Sequence, residues 1–177
     1  MMKINYGGNI QILVDATQKA NDLLNGNKLY DLISQKPSFD FSTATGQQIA
    51  QSMRNCSTVL HLLTFKKFIT RELGYEDPKR PADIHINIAG NKLNRSLGSI
   101  VGTLIHESVH AADANDPTLS YPHNGNLAAG NENSAPYWIG NLVVQLIDAP
   151  TTPVDINNIT ASIHAPDDLM PDRENNA

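Results

Sequence analysis

Residues 95–114 read RSLGSIVGTLIHESVHAADA. Leu97, Ile100, Val101, Leu104, Ile105 and Val109 recur at helical spacing, and Asn94 suits an N-cap. The stretch is therefore expected to be one helix from about Arg95 to Ala114. Just before it, residues 83–88 alternate: Ile84, Ile86 and Ile88 fall on one side, Asp83, His85 and Asn87 on the other. That is the pattern of a half-buried strand, ended by Ala89-Gly90-Asn91.

Upstream, Leu23, Leu24, Leu29, Leu32 and Ile33 give residues 14–35 an apolar helical face, broken by Asn25-Gly26-Asn27. Pro37 to Thr45 is a connector, and Thr45-Gly46 leads into a short helix over 47–54. Residues 58–65 (TVLHLLTF) are expected to be a buried strand, with a helix as the alternative. A short helix is expected over Lys66 to Leu73, and the proline-bearing stretch 76–81 reads as a loop. Downstream, Asn, Pro and Gly make 115–130 a long loop. A last helix is expected from Ala135 to Asp148, with Ser134 as cap and Pro136 in its first turn. The sequence thus divides into one domain over 1–150 and a loose polar tail over 151–177.

The chain as a whole bounds the function. Its 177 residues suit one core, and an apolar fraction of 40% is that of a globular protein. A net charge of −5 and a pI near 5.6 argue against nucleic acid as a partner. Cys56 is the sole cysteine, so no disulfide forms within the chain. No stretch approaches the ~20 apolar residues of a membrane span, and the N-terminus lacks the apolar run of a signal peptide. A soluble protein is expected, cytoplasmic in the producing cell or exported without a classical signal.

The helix carries chemistry at His106-Glu107-Ser108-Val109-His110. Side chains four apart share a helix face, so two imidazoles there can bind one metal ion. The adjacent glutamate projects near the metal without binding it and can take a proton from an activated water. Zinc is the expected metal. Gly98 and Gly102 lie on the same stripe; they make room for close packing of another element, or for the strand 83–88 or a substrate near the metal.

A catalytic zinc usually has three protein ligands. Glu132, 22 residues after His110, is a candidate on a second element. Asp116 is its rival, because HESVHAADAND resembles the metzincin pattern with aspartate as third ligand; it departs from that pattern in that Asp113 occupies the turn-glycine position and no methionine turn follows. Asp113 itself suits a supporting or capping role. His123 could be a ligand or an oxyanion donor, and Tyr121 and Tyr137 are further donor candidates. His61, His85 and His164 read as structural or exposed.

With these residues in view, the combination TLIHESVHAAD followed by NENSAPYWIGN resembles the zincin metallopeptidases, and in particular small bacterial effector or toxin-type members. The resemblance covers roughly residues 83–148. It implies a zincin-like α+β fold, a small sheet whose edge strand lies over the active-site helix, with residues 83–88 as that strand. It also implies His106, His110 and Glu132 as zinc ligands and Glu107 as general base, with a protein or peptide substrate. His123 and Tyr137 are the companion catalytic candidates. Two other readings compete. A deformylase-like amidase would recruit Cys56 as third ligand, although Asn55-Cys56-Ser57 lacks the expected glycine and leucine. A non-catalytic zinc-binding module would have no use for Glu107.

Overall fold

The computed structural model describes residues 1–68, 73–77, 79–125 and 128–163. Four strands, β1 (Lys3–Asn5), β2 (Val59–Phe65), β3 (Gly74–Asp77) and β4 (Arg80–Asn87), form one sheet in the order β1-β2-β4-β3. β1, β2 and β4 run parallel, and β3 pairs antiparallel to β4. Among the described residues there are five helices: α1 (Gln11–Asn25), α2 (Lys28–Gln35), α3 (Gly46–Asn55), α4 (Leu97–Asn115) and α5 (Ala135–Asp148). The class is mixed α and β. No helix among these residues is long and apolar enough to cross a membrane.

Local chemistry explains most element ends. The break at Asn25-Gly26-Asn27 separates α1 from α2. Thr45 starts α3 with a reciprocal capping box: its hydroxyl accepts from Gln48 N–H while the Gln48 side chain accepts from Thr45 N–H. α4 starts two residues later than Asn94 predicts. Ser96 is its cap and accepts from Ser99 N–H, while the Asn94 N–H is already used by the Asn91 carbonyl. The Asp148 carboxylate accepts from Gly98 N–H and Ser96 Oγ, placing negative charge at the positive end of α4.

The strand expected over 83–88 is present but is not the edge. β4 lies between β2 and β3, and the edge on that side is β3; the stretch 76–81, expected as loop, instead holds the end of β3 and the start of β4. Both faces of β4 are covered toward its end. Ile84 and Ile86 are buried, and so are His85 and Asn87. Asn87 is satisfied by Lys67 and Ala89 backbone groups, and His85 stacks on Tyr75 at 4.5 Å between ring centres. Much of the helix expected over 66–73 falls on residues 69–72, and His164 on the tail; both lie outside the described residues.

α4 lies under the sheet and against α1 and α5, with residues 98–109 all buried. Its two glycines mark contacts with other elements. A Cβ on Gly102 would stand 2.7 Å from the Gly140 carbonyl oxygen of α5. A Cβ on Gly98 would meet the Asp148 carboxylate at 2.5 Å. Close packing of α5, rather than space for a strand, is what these glycines provide. Edge strand β3 crosses α4 further along: a Cβ on Gly74 would be 3.0 Å from Thr103 Cγ2 and 3.7 Å from Glu107 Oε1. The polar composition after Pro150 suggests a loose tail, yet Ile163 is buried and its backbone is bonded to α4 and α5.

Candidate metal centre

The third turn of α4 brings His106 and His110 onto one face. Their Nε2 atoms are 3.2 Å apart. Two ligands held about 2.0–2.1 Å from a tetrahedral ion stand about 3.3 Å apart, so this spacing already suits a shared metal. His123 joins them from the loop after α4, and one nitrogen from each of the three rings lies within 4.8 Å of the others. The His123 ring centre is 5.4 Å from that of His106 and 4.7 Å from that of His110. Its Nδ1 is buried with no hydrogen-bond partner among the described residues.

Electrostatics favour the same use. Burial, aided by the neighbouring His123, lowers His110 from 6.5 to about 4, and burial lowers His123 as well. Both rings are therefore neutral at pH 7, the form in which imidazole ligates a metal. Three imidazoles are a donor set that could hold a metal ion, and they suit zinc, copper, iron or nickel better than calcium or magnesium.

The loop is held by specific bonds. Asp113 Oδ1, in the last turn of α4, accepts from Tyr121 N–H at 3.1 Å. Asn131 brackets Asn124, donating to its carbonyl and accepting from its N–H, each at 2.7 Å. The two contacts fix the chain on either side of His123. Asn131 is buried, and sequence reasoning missed it, because an asparagine in an Asn-rich loop carries no signal of direction.

Glu132 points elsewhere. It is exposed, and its Oε2 accepts from Gly130 N–H at 2.9 Å within its own turn. Its neighbour Asn131 is the side chain that faces inward. The structure does not bring Glu132 to His106 and His110; it brings His123. Asp116 is half-buried at the C-cap of α4, where its carboxylate accepts from Thr118 N–H and Oγ1. Cys56 stays at the end of α3, with its thiol against Thr58 Oγ1. Tyr121 is fully buried against Ser52, so it is a core residue.

Glu107 and Tyr137 complete the surroundings. Glu107 is buried at the crossing of β3 over α4. Tyr137, in the first turn of α5, lies edge-on to His106 at 4.6 Å and beside His123 at 5.0 Å between ring centres. Burial, then the charge of Glu107, pushes its phenol up to about 12, so it remains a hydrogen-bond donor at neutral pH. A cleft of about 370 Å³ opens beside His110, walled by Asp113, Asp116, Leu119 and Ser120. In comparisons with known proteins, no protein-family model, no curated protein and no solved structure matches the chain.

Proposed function

We propose that the protein is a zinc-dependent hydrolase acting on peptide bonds, with His106, His110 and His123 as the metal ligands. The observation that carries this reading is the convergence of three imidazoles beside a buried glutamate that holds none of the ligand positions. A structural zinc normally has four closed protein ligands, whereas a catalytic one has three and an open position. The zincin resemblance of residues 83–148 supports the same chemistry, with His123 in place of Glu132 as third ligand. An edge strand over the active-site helix, here β3, also agrees with it.

When bound, zinc would act as a Lewis acid that lowers the pKa of a water to about 7. Glu107 has the place and chemistry of the general base. It takes the proton from the attacking water and can return it to the leaving amine. Tyr137 stays protonated and offers its O–H to the oxygen on which negative charge develops. The apolar flank around Tyr137, Val144 and Ile163 keeps bulk water from that side of the site.

The test is Glu107→Gln, which preserves shape but removes the basic carboxylate. Zinc stoichiometry, measured by metal analysis, is expected to stay near one per chain. Hydrolysis of a denatured protein or peptide mixture is expected to fall by ~10²–10⁴-fold. Equal turnover in wild type and variant, or no zinc uptake by either, would overturn the reading. Zinc uptake without turnover in wild type would leave a binding module.

A further inference from the structure

The segment that follows α5 returns to the metal centre. Ile163 is 4% exposed, and its Cγ2 fills a notch made by two glycines. It lies 2.7 Å from where a Cβ of Gly102 would stand and 3.0 Å from that of Gly140. Gly102 is one turn before His106 on α4, and Gly140 is one turn after Tyr137 on α5. A Cβ on Gly140 would in turn be 3.4 Å from His106 Cβ.

The backbone of Ile163 is bonded at both ends. Its N–H donates to Asn141 Oδ1 at 2.9 Å, and its carbonyl accepts from Ser99 Oγ at 2.6 Å and from Arg95 Nη1 at 3.2 Å. Ser99 lies on α4, Asn141 on α5 and Arg95 just before α4, so the segment ties α4 to α5. Tyr137, Val144 and Ile163 form an apolar cluster apart from the main core, with Ala128 and Ala161 packed against it. The ring that faces His106 and His123 therefore shares its apolar backing between Val144 of α5 and the returning segment.

We propose that Ile163 is a positioning residue of the metal centre: seated in the glycine notch between α4 and α5, it holds the Tyr137 ring against His106 and His123. The proposal rests on the reading of these histidines as metal ligands, and it makes residues 151–163 part of the functional unit. Truncating the Ile163 side chain empties the notch and removes one member of a three-residue cluster. Neither change touches a histidine.

The experiment uses the full chain labelled with 3-fluorotyrosine. The Tyr137 resonance is assigned by its loss in Tyr137→Phe, and fluorine spectra are taken without metal and through a zinc titration. Wild type is expected to give one narrow Tyr137 line that moves on zinc addition. Ile163→Ala is expected to broaden or split that line and to weaken zinc by about 10-fold, the lower end of what supporting residues contribute. Ile163→Val keeps Cγ2 and is expected to restore both. If Ile163→Ala fails to fold, Asn141→Ala, which only releases the Ile163 N–H, is expected to broaden the same line. An unchanged Tyr137 line and zinc affinity in a folded Ile163→Ala protein, or in Asn141→Ala where that variant replaces it, overturns the proposal. If no protein binds zinc, the metal reading fails, and the metal-free line alone decides whether Ile163 holds Tyr137.

Discussion

Replacing His123 by alanine separates the geometry of the site from the expectation that Glu132 is a ligand. In wild type three ring nitrogens lie within 4.8 Å of one another, and two of them are 3.2 Å apart. His123→Ala leaves two imidazoles on one helix. A four-ligand zinc site binds with roughly 10–16 kcal/mol, which is about 3 kcal/mol or more for each ligand. At 1.4 kcal/mol per factor of ten, losing one imidazole should weaken zinc by ~10²–10³-fold. Glu132→Ala should change zinc affinity less than about 2-fold, because its carboxylate is exposed and serves only the Gly130 turn. The assay is competition against a chromogenic chelator at pH 7, with circular dichroism of each variant to confirm folding. A large loss in Glu132→Ala with a folded His123→Ala that keeps full affinity would refute the assignment. It would mean that the loop and Glu132 exchange places when metal binds.

The other two predictions concern stability. Without metal, His110 titrates near 4 when folded against 6.5 when unfolded, so between those values the unfolded chain binds the extra proton. Stability should thus be fully present above pH 6.5 and fall by roughly 3 kcal/mol as pH drops to about 4. Urea unfolding in chelator across this range should show the slope, and a folded His110→Gln protein with the same slope would contradict it. Gly102→Ala gains about 1 kcal/mol of helix propensity but sets a methyl 2.7 Å from the Gly140 carbonyl oxygen, which cannot rotate away. With overpacking at ~1–3 kcal/mol, a net loss of up to about 2 kcal/mol is expected from urea unfolding, and a stabilised variant would show that the helices part freely.

What could be read from the chain depended on how local the cause was. The reach of α4 and α5 follows from apolar spacing, so both were legible to within two residues, although Ser96 rather than Asn94 caps α4 and the Ser134 side chain makes no cap bond to α5. That His106 and His110 share a face follows from helix geometry alone. The alternation of 83–88 was also legible, because the period of a strand is a property of its own backbone.

Three features required the tertiary structure. Alternation says which side chains share a face, but nothing about which neighbours a strand will have; the tertiary structure makes β4 internal by pairing β3, stacks Tyr75 of β3 on His85 and brings the Lys67 backbone onto Asn87. The third member of the metal group lay among His123, Asp116 and Glu132, all in a loop without periodicity. Its path is decided by bonds to distant atoms, Asp113 to Tyr121 and Asn131 to Asn124, which turn His123 inward and leave Glu132 in solvent. The role of Ile163 was hidden in the same way, since one isoleucine in a polar stretch becomes a core residue only when two glycines on separate helices meet to form its notch.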